Sequence, residues 1–174
     1  MIETERLYLR EMREDDFEAL RRVLGDGDIM RYYPYALDEE RIRNWIARNR
    51  ERYRIFGFGL WAVCRKDTGE MIGDCGLTMQ PIDGQICPEI GYHIRADQQR
   101  RGFAKEAARA VRDWTFEHTP FRVVYSYMNA DNLPSIRTAM AYGCGEAGTY
   151  VDEEGVTTKI FTMTREDWQN REST

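Results

Sequence analysis

The 174-residue chain is poor in the residues that most enzyme chemistries draw on. It has two histidines, His93 and His118, and four cysteines, Cys64, Cys75, Cys87 and Cys144, none of them in a CxxC pair. A zinc site has few ligands to use, and no metal is expected. The cysteines sit in apolar contexts and read as small buried hydrophobes of a reducing compartment, not as disulfides. Serine occurs only at 126, 135 and 173, and no GxSxG is present, so a Ser-His-Asp hydrolase fits poorly. There is no GxxxxGK[ST], which excludes a Walker loop. No GxGxxG follows a strand, which excludes the Rossmann fingerprint. No run approaches the ~20 apolar residues of a membrane span. The opening MIETERLYLREM has no apolar core of signal-peptide length, and a soluble cytoplasmic protein is expected. A basic excess is also missing, with 25 Lys and Arg against 30 Asp and Glu, net -5. That argues against nucleic acid or a membrane surface as partner.

What is present is globular. The hydrophobic share is 42%, with no repeat, linker or low-complexity stretch, so residues 1–174 read as a single domain. RLYLREM (6–12) alternates like a strand. DDFEALRRVLGDG (15–27) puts Phe17, Leu20, Val23 and Leu24 on one helical face and stops at Gly25 or Gly27. RYYPYALDEE (31–40) is an aromatic loop. A helix from Glu39 carries Ile42, Trp45, Ile46, Tyr53 and Phe56 on one side. GLWAVCRK (59–66) and MIGDCGLTMQPI (71–82) form a hairpin, and Asp83-Gly84 turns the chain into QICPEIGYHIR (85–95). Pro88 cannot donate to a ladder, so an edge or a bulge is expected there. A helix with Phe103, Ala107, Val111 and Trp114 inward follows, then strand 122–128. Helix 133–143 comes next, capped by Asp131 or Asn132 and ended by Gly143. Two strands around DEEG (152–155) close the order. This predicts an α+β fold with a mixed, mostly antiparallel sheet of about seven strands and about four helices.

The stretch DQQRRGFAKEAARA (97–110) sets two arginines and a glycine at a helix start. The first N–H groups of a helix have no partner within it and lie at the positive end of its dipole, so a phosphate is the natural guest. Gln99-x-x-Gly102-x-Ala104 resembles the acetyl-CoA motif of the GNAT superfamily of N-acetyltransferases. TERLYLR (4–10), PEIGYHI (88–94), GFAKEAARA (102–110), NADNLPSIR (129–137) and TREDW (164–168) are similar, in order, to the branch that acetylates ribosomal-protein amino termini (the RimJ/RimL type). Gln99-Arg100 departs from that branch's Trp-Gly, His93 from its aromatic, and Gly143-Cys144 from its Gly-Phe. Ala139 stands where many members carry an acidic tyrosine.

The resemblance implies a sheet of the GNAT kind and direct transfer of an acetyl group from acetyl-CoA to a primary amine, either a protein N-terminus or a small molecule. Backbone from Gln99 through Arg100, Arg101, Gly102 and Phe103 to Ala104 would cradle the pyrophosphate. The backbone of His93, Ile94 and Arg95 would pair with the pantetheine arm, where the strand splays from its neighbour. Asn129 and Asn132 would meet the cofactor's amides, and Arg137 its 3′-phosphate. Glu89 is the first candidate base, because burial raises a carboxylate's pKa. His93 is the second, with Arg95 expected to lower its pKa and keep it neutral. Asp74 is a weaker third. Ser135 would partner the thiolate and is also a plausible helix cap. Tyr142 is a reserve acid that reads more naturally as packing. Tyr33, Tyr35 and Trp45 would wall an amine pocket. A weak base suits an α-amine, already part deprotonated near neutrality. The missing tyrosine at Ala139 supports an alternative, a non-catalytic CoA-binding sensor. Relatives are monomers or homodimers, and the sequence does not choose.

Overall fold

The computed structural model describes residues 1–33 and 36–172. Their core element is one sheet in the order β1-β2-β3-β4-β5-β6-β8-β7. The strands are β1 (Ile2–Glu3), β2 (Leu7–Arg10), β3 (Leu60–Arg65), β4 (Met71–Ile82), β5 (Gln85–Ile94), β6 (Val123–Asn129), β7 (Gly145–Val151) and β8 (Thr157–Thr164). Five helices accompany them: α1 (Phe17–Leu24), α2 (Glu39–Phe56), α3 (Phe103–His118), α4 (Leu133–Tyr142) and α5 (Arg165–Glu172). Every neighbouring pair is antiparallel except β5–β6, which is parallel.

The expected class holds, with one strand and one helix more than anticipated. β1 is two residues long, too short for alternation to reveal, and pairs Ile2 with Leu9. α5 has no apolar stripe. It is fixed by Trp168, which is buried and donates from Nε1 to Asp113 at 2.7 Å, and by the Thr164–Asp167 cap.

Local signals place the site. The Asp83–Gly84 turn has both φ values positive, 47° and 74°, and this two-residue geometry matches the strand twist. It locks β4 against β5 with no register shift, from Ile82↔Gln85 out to Gly73↔Ile94. Pro88 is therefore at neither an edge nor a bulge. Arg95 N–H donates to Ile72 of β4, so alternation turns the Pro88 nitrogen toward β6. There the pairing is a single one, Glu89↔Tyr125, and no ladder bond is lost. Asp38 caps α2, accepting from Arg41 N at 2.9 Å. Phe56, expected inward, is exposed at the end of α2 and stacks on Phe58.

Period-two alternation then divides β4 and β5 between two faces. Asp74, Thr78, Glu89 and His93 share one. α2 covers it, since Trp45 Nε1 donates to Asp74. Tyr92 points the other way, where its hydroxyl donates to the Ser135 carbonyl of α4, beside α3. Fully buried Leu7, Leu9, Leu20, Ile42, Leu77, Ile90, Val111 and Phe161 knit sheet and helices into one core, each contributing roughly 1.5–3 kcal/mol.

Candidate active site

A groove of about 640 Å³ opens between α2, the aromatic loop, β4–β5 and the segment joining β6 to α4. That size suits a small ligand or a cofactor's arm. Glu89, His93, Ser135, Tyr33, Trp45, Asn129 and Asn132 all line it. Tyr35 lies outside the described residues.

The centre is ordered by the hairpin register, which sets Asp74 opposite His93 and Thr78 opposite Glu89. Asp74 is fully buried. Its Oδ1 is 2.7 Å from His93 Nδ1, and its Oδ2 accepts from Trp45 Nε1 at 2.9 Å. Tyr33 Oη sits 2.8 Å from His93 Nε2. Both imidazole nitrogens and both Asp74 oxygens are thus engaged within the protein. Burial pulls the His93 pKa down, but the charge and hydrogen bond of Asp74, with Glu89 adding to them, carry it upward on balance. The expected effect of Arg95 is corrected here. Its guanidinium is clamped by Glu70 and Asp97 beyond the strand end, and Asp74 is the neighbour that matters.

Glu89 is arranged differently. Oε2 accepts from Thr78 Oγ1 at 3.2 Å, Thr78 accepts from Gln80 Nε2 at 3.1 Å, and Oε1 has no donor among the described residues. Burial raises its pKa to about 7, against smaller lowering by Thr78, His93 and Arg52. The carboxylate lies over Gly91, where a Cβ would come within 3.1 Å of Oε2 and 3.3 Å of Oε1. The missing side chain at 91 is what lets the carboxylate lie along the strand toward His93.

The residues expected to hold the cofactor's phosphates lie past the far end of β5. Arg100 and Gly102 are left-handed, φ 59° and 81°. From Arg100 to Lys105 the backbone N–H groups meet no acceptor among the described residues. A run of open donors at a helix start is what a pyrophosphate requires, so the segment fits the group. Gln99 Nε2 anchors it to the Ile94 carbonyl at 2.9 Å. Arg101 lies against Phe103 and donates to Gln98 Oε1, whereas Arg100 is exposed. The Phe103 side chain is buried, leaving its backbone to face a ligand.

Past Glu89 the parallel strands part. The Arg95 N–H is taken by Ile72, and alternation turns His93 to β4 as well. The β5 backbone facing the gap belongs to Tyr92 and Ile94. Of the three residues expected to pair with the pantetheine arm, only Ile94 offers its backbone there. Asn129 and Asn132 each use Oδ1 in a local turn or cap, accepting from Asp131 N and Ser135 N. Their Nδ2 groups have no acceptor among the described residues. Ser135 Oγ is 3.1 Å from Tyr92 Oη. Arg137 is exposed one turn into α4. Tyr142 is fully buried, with Oη 2.6 Å from Ser126 Oγ, itself bonded to the Ile90 carbonyl; it pins β6 and α4 to β5.

Sequence reading missed Thr78, Tyr92, Asn49 and Arg52. For Thr78 the signal was available, because counting outward from the Asp83–Gly84 turn sets it opposite Glu89.

This geometry belongs with known proteins. A profile of the acetyltransferase (GNAT) domain matches residues 6–145, and the chain belongs to that family, whose members are acetyl-CoA-dependent acyltransferases. YkkB of Bacillus subtilis, described only as an uncharacterized protein, is 36% identical over 141 residues, 80% of this chain and 82% of its own. A GNAT-family acetyltransferase from Bacillus anthracis superposes with a TM-score of 0.81 at 23% identity, covering 95% of this chain and 98% of that one. RimL, a ribosomal L7/L12 α-N-protein acetyltransferase solved with coenzyme A, gives 0.77 at 17% identity over 94% and 97%. At these identities the likeness is of fold. No helix among the described residues is long and apolar enough to cross a membrane.

Proposed function

We propose that the chain is an N-acetyltransferase that accepts a primary amine at Glu89 and holds acetyl-CoA between the Gln99–Ala104 segment and the gap after Glu89. Acetyl-CoA supplies an activated acetyl group as a thioester. The observation that carries the reading is Glu89, a carboxylate with one open oxygen in the groove and a pKa of about 7. Such a group takes a proton from an ammonium near neutral pH, directly or through a water. The acid–base match favours a weakly basic amine, such as an N-terminal α-amine, over a lysine ammonium near ~10.4.

The remaining residues divide the work. The N–H groups of Arg100 to Lys105 bind phosphate, with Arg100 and Arg101 as added cations. Ile94 and Tyr92 offer backbone to the arm, and Asn129 and Asn132 offer side-chain amides. Ser135, its hydroxyl held by Tyr92, stands at the start of α4 to donate to the departing sulfur. His93 and Asp74, closed on each other and on Tyr33 and Trp45, position the acceptor wall and set the field at Glu89.

Calorimetric titration with acetyl-CoA, followed by thiol release over a panel of amines, tests this. Micromolar binding with release on an amine is expected. Binding without release from any amine would replace the enzyme with a CoA sensor. No binding would reduce the Gln99–Ala104 stretch to a helix start.

A further inference from the structure

α2 turns one stripe into the groove: Trp45, Arg48, Asn49 and Arg52 all line it, at the spacing of a single helical face. The arginines on this stripe differ from others on the helix. Arg43 is paired with Glu39, Arg50 with Glu14 and Arg54 with Glu51. Arg48 and Arg52 form no ion pair with a carboxylate among the described residues, in a chain with 30 acids to choose from, and Glu89 acts on Arg52 only through its charge. Arg52 is half-buried, and its one bond runs from Nη1 to Asn49 Oδ1 at 3.1 Å. Asn49 is itself fully buried and fixed, Oδ1 accepting from Leu60 N and Nδ2 donating to the Trp45 carbonyl. The guanidinium is thus held in place with most of its donors unused. Arg31 joins the same wall from the aromatic loop, while Asp152 and Glu154 line the groove from the β7–β8 turn.

A fixed arginine fork that lines a groove with no carboxylate bonded to it is a receptor for a bidentate anion. The cofactor's phosphates do not explain it. Arg52 stands with Thr78, Gln80 and Glu89, and from Glu89 to Ile94 alone β5 spans ~17 Å before the cradle segment begins.

Resting on the reading of Glu89 as the acceptor's base, we propose that the acceptor is a primary amine carrying a carboxylate close to the nitrogen. Arg52, helped by Arg48, holds that carboxylate while the amine meets Glu89. A free amino acid and a polypeptide N-terminus with an acidic first residue supply the same chemistry.

The test is binding, independent of turnover. CoA-loaded protein is titrated, with NMR or calorimetric readout, with N-acetylglycine, the α-monoamide of N-acetylaspartic acid with its side-chain carboxylate free, and neutral N-acetylglycinamide. The acetylated nitrogen makes each probe product-like and unreactive. At least one carboxylate probe is expected to bind ~10-fold or more tightly than the neutral amide. That ratio should fall to near one in Arg52→Ala, fall partly in Arg48→Ala, and stay unchanged in Arg54→Ala, whose arginine is paired with Glu51 outside the groove. Tighter binding of N-acetylglycine points to a free amino acid, and of the aspartyl probe to an acidic N-terminus. Equal affinity for charged and neutral probes, no binding of any of them, or a ratio that survives Arg52→Ala overturns the proposal. Failure of thiol release with every amine, with the ratio intact, would instead remove the proposed transferase activity and leave the anion site standing.

Discussion

At the scale of single residues the argument turns on Glu89. Its pKa of about 7 lies well above its ordinary 4.5, so the fold prefers the protonated carboxyl. The base form appears only as pH rises through about 7. The rate is expected to climb across that range and then level, and Glu89→Gln should lose the limb along with roughly 10²–10⁴ of the rate; kcat/KM against pH measures both. Stability moves oppositely. Wild type and variant should match below pH 4.5, and wild type should weaken as pH rises from there through 7. Above 7 Glu89→Gln should be the more stable by roughly 1–3 kcal/mol, read from denaturant midpoints. Gly91→Ala offers a second probe. Its methyl group would meet both Glu89 oxygens, so turnover should drop several-fold while acetyl-CoA affinity holds; an unaltered rate would mean the carboxylate works from another position. Glu89 and His93 were legible as candidates from residue type and strand alternation. Their partners were legible too, had the register been counted outward from the turn, since it puts Asp74 across from His93. Arg95 misled because it is near in sequence but lies past the strand's end. Tyr33 reaches His93 from an irregular loop sixty residues away, and no local pattern announces such a contact.

At the scale of elements, signals that act within one turn of chain read correctly, and those that depend on distant packing did not. Asn132 and Gly143 begin and end α4 where their chemistry says they should, and α2 starts at Glu39 as expected. β1 is too short to show a period. α5 hangs on Trp168, whose partner Asp113 belongs to another helix. Pro88 looked like a defect because its cost depends on which neighbour its nitrogen faces. The start of α3 is the element most open to test. Gly102 at φ 81° takes a conformation that costs an L-residue about 1–2 kcal/mol. A Cβ there would meet only Arg6 Nη2, at 3.4 Å, so strain and not crowding is the penalty. Gly102→Ala should therefore lower stability by about that much with a modest loss of cofactor affinity. Gly102→Asp should cost similar stability but weaken acetyl-CoA binding at least ~10-fold more than alanine does, because it sets a negative charge among the open N–H groups. Equal affinities for the two variants would mean no phosphate sits there.

At the scale of the whole molecule the sheet has one weak seam. Strands β1 to β5 form one antiparallel run, and β6, β8 and β7 another. Between them the parallel ladder comes down to Glu89↔Tyr125, backed by the Ser126 bond to Ile90 and by Tyr142 behind it. The sequence showed the succession of strands along the chain, β1 apart, but not this division, because a parallel junction is made by helix crossover and packing, not by a turn motif. The proposed cofactor contacts lie on both sides of it, with Ile94 and the Arg100–Lys105 donors on one flank and Asn129 and Asn132 on the other. A ligand spanning the seam stabilises the folded state by mass action, about 2.7 kcal/mol at a hundredfold excess over Kd. For a chain of this length that corresponds to a rise of roughly 5–10 °C in Tm. The protection should also be local. Hydrogen exchange should slow most at residues 90–94, at the start of α3 and in 129–135, and little in α5, which packs on β8 away from both flanks. A Tm rise with uniform protection would place the ligand elsewhere. No rise at saturating acetyl-CoA would show that the seam is closed by the protein's own contacts and that the gap after Glu89 is not a ligand channel.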